Sequence, residues 1–436
     1  MAAKRYSIVA VGVDAGVAIA RVKEAGGVDI VESPRTGIVF AALEDAQVEK
    51  LKAMGFSASE VGQVRAPQIS APIAPPAPIP GEIGHTPTEL LTALGFSEEW
   101  RQLIEPPLSG EGVTIAIIDT GIRESHELIG GRVVYSQNFT PDPMRDGFDH
   151  GTGVASIVVN VLPKVSILNM KALNDEGEGS EEAVVMAIDK CIDLSDTDPD
   201  IAPMVINMSL GAPDDGNVNN PVRVACRAAI AQNIFVVAAA GNSGPNPGTI
   251  TLPACERYVV ACGAMGYDAT APKYPFIVSQ FSSRGPTREG IIKPDAVMFG
   301  ENITMASSKS DTDTVVKSGT SFAAPFASCV ILVHREFIMK RAVFLEPVWP
   351  TTQPFEAPLT PQDLLDKWAG MICMKPDFSG SAKDNAYGFG IPAPELLAHF
   401  FKAPAAAGIS IEQLIVPVFT FGMVTTMMSS VMKEIS

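Results

Sequence analysis

The run VTIAIID at residues 113–119 decides the fold of this sequence, because it is short, almost wholly apolar and ends on an acid. Three later runs have the same character: VSILNMKAL (165–173), MVINMSL (204–210) and IFVVAAA (234–240). Such runs are typical of parallel strands that are covered by helices on both faces. Helical stretches such as 181–193 and 221–233 separate them. We therefore predict an α/β domain with a doubly wound, mostly parallel sheet over residues 85–401.

A smaller unit precedes this domain. Residues 1–66 show the order β-α-β-β-α-β, with helices over 14–26 and 44–55 and a last strand over 59–66. This order predicts a small α+β, ferredoxin-like domain. The proline-rich stretch at 67–84 discourages helix and sheet, so we predict an extended, exposed linker. An ordered strap across the surface is the alternative.

The C-terminal extension, residues 402–436, contains an uncharged stretch at 414–432. Its length matches a membrane span, which needs about 20 residues. Pro417, Gly422 and several Ser and Thr residues weaken that interpretation. We expect the tail to pack on the large domain or on a neighbouring subunit, with a membrane anchor as the alternative.

The charge balance excludes several classes of partner. The chain carries 32 Lys and Arg against 49 Asp and Glu, and its net charge is −17. Binding to a phosphate backbone needs a basic surface, so nucleic acid is not expected as a partner. Anionic membrane surfaces should repel the chain as well. The acidity serves solubility or, alternatively, a preference for basic substrates.

The cysteines and the N-terminus bear on localisation. The six cysteines form no CxxC pair and mostly lie in apolar runs. They are therefore predicted to be buried free thiols, which favours a reducing compartment. Lys4 and Arg5 precede an apolar run that Asp14 interrupts, and no cleavage site of small residues follows. We see no export signal and expect a cytoplasmic location.

Three short segments carry candidate chemistry, namely IIDTG at 117–121, DHGTG at 149–153 and SGTS at 318–321. Taken singly, Asp119, His150 and Ser321 have ordinary explanations as a turn former, a loop residue and a helix N-cap. Together they meet a chemical requirement: serine needs a base, and the histidine needs an acid that fixes its tautomer. Strand ends and helix starts at one edge of a parallel sheet can bring such residues together.

A fourth segment, AAAGNSG at 238–244, adds Asn242 after an apolar run. Its side-chain amide could donate to a developing oxyanion, with the Ser321 backbone N–H as the second donor. Taken alone, Asn242 could equally belong to a simple turn.

These segments resemble the subtilisin-like serine proteases (subtilases). Blocks in the family's order cover about residues 85–400: DTG at Asp119, HGTGVAS at His150, NMSLG at 207–211, AAAGNSG, FSSRGP at 281–286 and SGTSFAAP around Ser321. The resemblance implies a serine endopeptidase that acts through an acyl-enzyme intermediate, with Asp119, His150 and Ser321 as its triad. It implies Asn242 as an oxyanion-hole donor, peptides or proteins as substrates, and no required cofactor.

The resemblance also implies residues that bind substrate. One set resembles the edge that pairs with substrate backbone: Ser209, Leu210 and Gly211. A second set resembles a wall of the S1 pocket: Ala239, Ala240 and Gly241. Thr251 falls where many relatives carry glycine at the base of that pocket. We therefore predict a preference for a small or medium P1 residue.

Two departures from the family pattern concern accessory features. Gly153 stands where many relatives have a second histidine, which is not a triad member. The segment from His150 to Lys171 is too short for the calcium-binding loop that many relatives insert, so we predict that this site is absent. The acidic loops 193–200 and 214–220 could bind calcium instead, or could simply be solvated.

The N-terminal unit resembles the subtilase propeptide, which inhibits the enzyme and assists its folding. In that family the end of the unit lies in the cleft like a product, and here that end is Val64, Arg65 and Ala66. We therefore predict a self-inhibited precursor that cleaves itself between about Ala66 and His85, with a permanent accessory domain as the alternative. Competing functions are a dedicated maturation protease or peptide ligase for one partner, and an assembly scaffold that retains the fold.

Overall fold

The computed structural model describes residues 3–9, 14–66, 84–94, 108–267, 276–344, 360–375 and 382–392. Its N-terminal unit contains β1 (Lys4–Val9), α1 (Ala15–Ala25), β2 (Val28–Ser33), β3 (Ile38–Leu43), α2 (Asp45–Ala53) and β4 (Ser57–Glu60). The four strands form an antiparallel sheet in the order β2-β3-β1-β4. This confirms the ferredoxin-like prediction. Asp14 caps α1, which ends at Gly26 with a φ of 94° that suits glycine.

Strand β3 of this small sheet is covered on both faces. Alternate residues of a strand point to opposite faces. Along β3, Val39 and Ala41 join the core formed with α1 and α2, whereas Ile38 and Phe40 join a core of the large domain. A strand sandwiched in this way is apolar throughout, as the sequence IVFAAL is.

The remaining elements follow in chain order. The strands are β5 (Gln63–Arg65), β6 (Thr114–Asp119), β7 (Val133–Asn138), β8 (Ser166–Lys171), β9 (Glu178–Ser180), β10 (Val205–Met208), β11 (Ala212–Pro213), β12 (Phe235–Ala239), β13 (Thr251–Leu252), β14 (Val260–Tyr267), β15 (Phe276–Val278), β16 (Ala296–Phe299), β17 (Ile303–Ala306), β18 (Thr314–Lys317), β19 (Cys373–Met374) and β20 (Ile391–Pro392). The helices are α3 (Pro87–Ala93), α4 (Gly151–Val161), α5 (Glu181–Thr197), α6 (Pro221–Ala231) and α7 (Thr320–Phe344), followed by short helical segments at Pro361–Asp363, Leu364–Trp368 and Ala369–Ile372.

Eight strands form the central sheet in the order β15-β14-β12-β10-β6-β8-β7, with β16 also paired to β14. The pairs are parallel except for β14–β15. The predicted doubly wound, mostly parallel sheet is therefore confirmed.

The two helix layers explain the apolar runs. All six residues of β6 are buried. Ile115 and Ile117 face the core that contains residues of α4 and α7, whereas Ala116 and Ile118 face the core that contains residues of α5 and α6. Because both faces of the strand meet helices, neither face carries the polar residues of a solvated sheet.

The predicted last strand of the N-terminal unit, over 59–66, is wrong in extent. The chain leaves the small sheet after Val61, whose N–H donates to the Arg5 carbonyl, and Gly62 N donates to the Glu181 carboxylate at 2.7 Å. The separate strand β5 then pairs antiparallel with β9 of the large domain. Partners more than 100 residues away decide this break, and no local pattern shows them.

Burial settles the state of the cysteines. All six are buried free thiols, as predicted. Burial raises the pKa of the Cys191 thiol far above its usual value, which suppresses the reactive thiolate. No helix in the described ranges is long and apolar enough to cross a bilayer. The predicted linker, apart from Gly84, and the tail stretch 414–432 lie outside the described residues.

Candidate active site

Asp119 and His150 meet at the carboxyl edge of the central sheet. Asp119 is the last residue of β6, and His150 immediately precedes α4. His150 Nδ1 lies 2.7 Å from Asp119 Oδ1. The same carboxylate oxygen accepts the backbone N–H of Thr120 at 2.7 Å. Both side chains are buried, at 5% exposure for His150 and 1% for Asp119. A buried carboxylate on Nδ1 fixes the tautomer that leaves Nε2 able to accept a proton.

Ser321 is the second residue of α7, and the residue that follows it in the helix contacts the His150 ring. The ring of Phe322, the next residue along the helix, has its centroid 5.3 Å from that of His150. Ser321 Oγ donates to the Ser209 carbonyl at 3.4 Å. Within the part of the chain that the structure describes, His150 Nε2 is buried without a hydrogen-bond partner. The predicted hydrogen bond between Ser321 and His150 is therefore not formed here, and in active sites such bonds commonly tighten only when substrate binds.

Asn242 is held in a defined orientation next to this helix start. It follows β12, and its Oδ1 accepts both the backbone N–H and the hydroxyl of Thr320 at 2.9 Å. A Cβ added at Gly319 would lie 3.3 Å from Asn242 Nδ2, so the amide nitrogen lies over the Gly319 backbone. With its oxygen bound to Thr320, the carboxamide directs its N–H groups away from Thr320.

Residues 110–389 match the profile of Peptidase_S8, described as the subtilase family. The chain belongs to the subtilase family.

Relatives of this subtilase include serine protease AprX of Bacillus subtilis (strain 168), which is 32% identical over 249 residues, covering 51% of this chain and 56% of that protein. An intracellular serine protease of Paenibacillus polymyxa is 28% identical over 321 residues, covering 69% of this chain and 85% of that protein. The chain spans about half the length of AprX and of several fungal subtilisin-like proteases. Its fold resembles that of fervidolysin from Fervidobacterium pennivorans, with a TM-score of 0.65 at 18% identity over 93% of this chain and 62% of that one.

The predicted substrate edge lies beside Ser321 of this subtilase. Ser209 and Leu210 are fully buried, and Gly211 exchanges backbone hydrogen bonds with Arg65. The Ser209 hydroxyl donates to the Ser321 carbonyl at 2.6 Å and accepts from Asn207 Nδ2 at 3.0 Å. Asn207 Oδ1 in turn accepts the Ser328 hydroxyl at 3.0 Å. This buried chain of polar groups ties β10 to α7.

Thr251 lies between the two predicted walls of the pocket. Its N–H and hydroxyl donate to the Ala240 carbonyl at 3.0 and 3.2 Å. A Cβ added at Gly241 would lie 2.7 Å from Thr251 Cγ2, and one added at Gly211 would lie 2.9 Å from Thr251 Oγ1. The threonine side chain therefore occupies space between these two glycines.

The N-terminal unit reaches the same edge through β5. Val64 pairs with Gly179, and Ala66 N donates to the Gly177 carbonyl at 2.9 Å. On its other side, β5 meets Gly211. The segment 63–66 is thus an inserted strand between β9 and the 209–211 edge.

Acidic side chains of α5 hold the N-terminal unit on the large domain. Asp189, 6% exposed, accepts the Ser33 hydroxyl at 2.8 Å and the N–H groups of Arg35 and Thr36 at 2.6 and 3.1 Å. Ion pairs with other acids of α5 add to this hold, namely Arg5–Glu182, Arg35–Asp193 and Arg35–Asp196. Burial raises the pKa of Glu181, although Asn220 and Gly62 donate hydrogen bonds to it.

The acidic loops predicted as calcium candidates have other partners. Asp193 pairs with Arg35 and Lys190, Asp214 accepts Gly216 N, and the Asn220 side chain caps α6. Among the described residues, no three His, Cys, Asp or Glu side chains are grouped as a metal site. The helix after His150, α4, runs uninterrupted over 11 residues.

Two residues of the site were not singled out from the sequence. Asp146 accepts the His150 backbone N–H, and Thr120 contacts Asp119, Asp146 and Gly151. An acid four residues before His150 and a hydroxyl next to Asp119 were the available signals. Both types of residue are common in loops, so neither signal is specific.

Proposed function

We propose that this subtilase is a serine endopeptidase with Asp119, His150 and Ser321 as its catalytic triad. Ser321 Oγ attacks the carbonyl carbon of the scissile bond while its proton moves to His150 Nε2, and Asp119 stabilises the resulting imidazolium. The same proton then passes to the leaving amine, and water releases the acyl group from Ser321 by the reverse sequence. The buried Asp119–His150 contact of 2.7 Å is the observation that carries the proposal.

Asn242 and the start of α7 would stabilise the oxyanion of the tetrahedral intermediate. The helix start places the Ser321 backbone N–H and the positive end of the helix dipole at the nucleophile. The Thr320 contacts pre-organise the Asn242 amide. A donor that is fixed in advance contributes more than one that must reorganise, and removing one such donor costs about 100- to 1000-fold in turnover.

The test is covalent labelling of the purified full chain with a fluorophosphonate. We expect Ser321 to be labelled and the label to be lost in Ser321→Ala. Ser318→Ala is the matched control, because Ser318 lies three residues earlier and its hydroxyl accepts Asn302 N instead. If the wild type fails to react both before and after any self-cleavage, the result would contradict the enzymatic function and favour a scaffold.

The chain would be made as a self-inhibited precursor. The strand 63–66 occupies the place between β9 and the 209–211 edge where a substrate backbone would add as a strand. Downstream, His85 pairs with Ile303 and α3 packs its buried Leu90 and Leu91 into the large domain. These contacts support cleavage between Ala66 and His85, because the chain is bound to the large domain on both sides of that segment.

Intact mass tests self-processing. The wild type is expected to lose an N-terminal fragment, whereas Ser321→Ala keeps the full-length mass. Equal full-length masses for both chains, together with fluorophosphonate labelling of the wild type, would instead support a permanent accessory domain.

Substrates would be extended peptide segments with a small or medium P1 residue, since Thr251 shortens the pocket between Gly211 and Gly241.

We propose that hydrolysis needs no metal, and we expect dialysis against a chelator to leave the rate unchanged. Loss of activity in the chelator with recovery on adding Ca²⁺ would contradict this. A cytoplasmic location stays a prediction from the sequence.

A further inference from the structure

We propose that Asp146 and Thr120 are positioning residues that fix Asp119 and His150 relative to each other. The inference rests on the proposed function. It concerns a hydrogen-bonded bridge, formed by Asp146 and Thr120, that connects Asp119 to the backbone of His150. Neither side chain forms a hydrogen bond with the ring nitrogens of His150, so both would act on the reaction through the backbone that they hold.

Asp146 accepts hydrogen bonds from backbone N–H groups at the start of α4. Its Oδ1 accepts the Thr120 hydroxyl at 2.8 Å and Asp149 N at 2.9 Å, and its Oδ2 accepts His150 N at 3.1 Å and Thr152 N at 2.9 Å. The residue is 6% exposed. All four partners donate, so both oxygens must accept, and a carboxylate meets this demand whereas a carboxamide does not.

Thr120 connects the hydrogen bonds that Asp146 accepts at the start of α4 to β6, the strand that ends on Asp119. Its N–H donates to Asp119 Oδ1 at 2.7 Å, and its hydroxyl accepts Gly151 N at 3.0 Å while donating to Asp146. Its carbonyl accepts the fully buried Lys171 ammonium at 2.7 Å. Every polar group of Thr120 is therefore engaged, and its hydroxyl and carbonyl tie the end of β6 to the start of α4 and to β8.

The backbone between Asp146 and His150 needs this support. Asp149 has a φ of 64°, in the left-handed region that residues other than glycine rarely adopt. Its side chain is held by the Ser307 hydroxyl at 2.9 Å and by Ser308 N at 2.6 Å, and its N–H by Asp146. Such a conformation persists when the surroundings over-determine it, and here it sets the direction in which His150 leaves the loop.

Small displacements of His150 matter because the proton transfer needs Nε2 within about 2.6–3.2 Å of the serine oxygen. A misplacement of about 1 Å costs on the order of 100-fold in rate. The charged groups facing the bridge are Asp119 from β6, Lys171 from β8 with its partner Asp175, and Asp149 with its partner Lys317 from β18. Removal of Asp146 therefore alters both the geometry and the charge around the base.

The test uses the purified full chain after any self-processing is complete. Asp146→Asn removes an acceptor and adds a donor, and Thr120→Val removes only the hydroxyl at nearly constant volume. Glu336→Gln is the matched control, because this fully buried carboxylate accepts Ser109 N, Gly110 N and Glu111 N at 3.0, 2.7 and 3.3 Å on the other side of the domain. Active sites are titrated with a fluorophosphonate before kcat and KM are measured on a peptide substrate.

We expect kcat per titrated site to fall about 100-fold in Asp146→Asn and about 10-fold in Thr120→Val, with KM changed less than about 2-fold. Glu336→Gln should lower the melting temperature while kcat stays within about 2-fold of the wild type. As a second readout, the low-field proton NMR signal of the His150 Nδ1–H donated to Asp119 should be lost or broadened in Asp146→Asn and retained in Glu336→Gln.

The outcomes separate this inference from the proposed function. A wild type that neither labels nor hydrolyses peptide defeats the proposed function itself. An active wild type with unchanged kcat in both bridge variants, or with kcat changes equal to those of Glu336→Gln, overturns the positioning role. If Asp146→Asn does not fold, Thr120→Val decides.

Discussion

Arg65 and Gly211 exchange two backbone hydrogen bonds, from Arg65 N to the Gly211 carbonyl at 2.9 Å and from Gly211 N to the Arg65 carbonyl at 2.8 Å. Gly211 lies two residues after Ser209, whose carbonyl accepts the Ser321 hydroxyl. The chain's own N-terminal unit thus pairs with the edge at which we propose that a peptide substrate binds.

Replacing Arg65 by proline should loosen the inserted strand. Proline removes the N–H that donates to Gly211, and loss of one such bond is worth about 1 kcal/mol. In a Ser321→Ala background, amide hydrogen exchange at Gly211 should accelerate several-fold. Arg65→Ala is the control, because it keeps the N–H and removes only an exposed ion pair with Glu178 at 2.9 Å. Equal exchange in both variants would show that the backbone pair does not hold the strand.

Asp189 should dominate the docking of the N-terminal unit. Asp189→Ala leaves the Ser33 hydroxyl and two N–H groups of a tight turn without their acceptor, at a cost of about 1–3 kcal/mol. We expect faster hydrogen exchange across β2 and β3, measured in the Ser321→Ala chain. Asp193→Ala removes partly exposed ion pairs with Arg35 and Lys190 and should cost less than about 1 kcal/mol. A larger effect from Asp193→Ala than from Asp189→Ala would contradict this ranking.

Thr251 should limit the size of the P1 residue. In Thr251→Gly, kcat/KM for Phe or Tyr at P1 should rise at least about 10-fold relative to Ala, since the side chain between Gly211 and Gly241 is gone. Thr251→Ser keeps the hydroxyl that donates to Ala240 and removes one methyl group, so its profile should be intermediate. A wild type that already prefers Phe or Tyr at P1 would contradict the prediction without any variant.

Asp149 should contribute to loss of stability in acid. Burial opposes ionisation, but the Ser308 N–H and the Lys317 ammonium together hold the pKa of Asp149 below its usual 3.8. A carboxyl whose folded pKa is depressed stabilises the fold above its unfolded pKa and loses that contribution as the pH falls through the folded value. The melting temperature of Ser321→Ala should therefore drop below about pH 4. Asp149→Asn, whose amide tolerates the left-handed backbone, should show a shallower drop. Identical slopes would exclude Asp149 as a contributor.

The order of strands and helices and the members of the candidate site could be predicted from local patterns. The runs that became β6, β8, β10 and β12 are apolar on both faces because helices cover both faces, and that burial is visible in composition alone. Asp119 and Asn242 stand at or just after the ends of two of these runs, and His150 and Ser321 stand at the starts of helices, all in recognisable blocks. Their position at one edge of the sheet could be predicted as well, because the carboxyl ends of parallel strands lie at the same edge.

Only the tertiary structure decided how distant segments meet. The break between β4 and β5 depends on Glu181 and Gly211, and the docking of the N-terminal unit depends on Asp189, each more than 100 residues from its partner. The bridge of Thr120 and Asp146 likewise joins residues whose types are ordinary in loops. By itself, the sequence determined which elements form and which side chains could react. Hydrogen bonds between distant segments depend on packing in space, so the fold alone decided which segment pairs with the 209–211 edge and which side chain bonds to the His150 backbone.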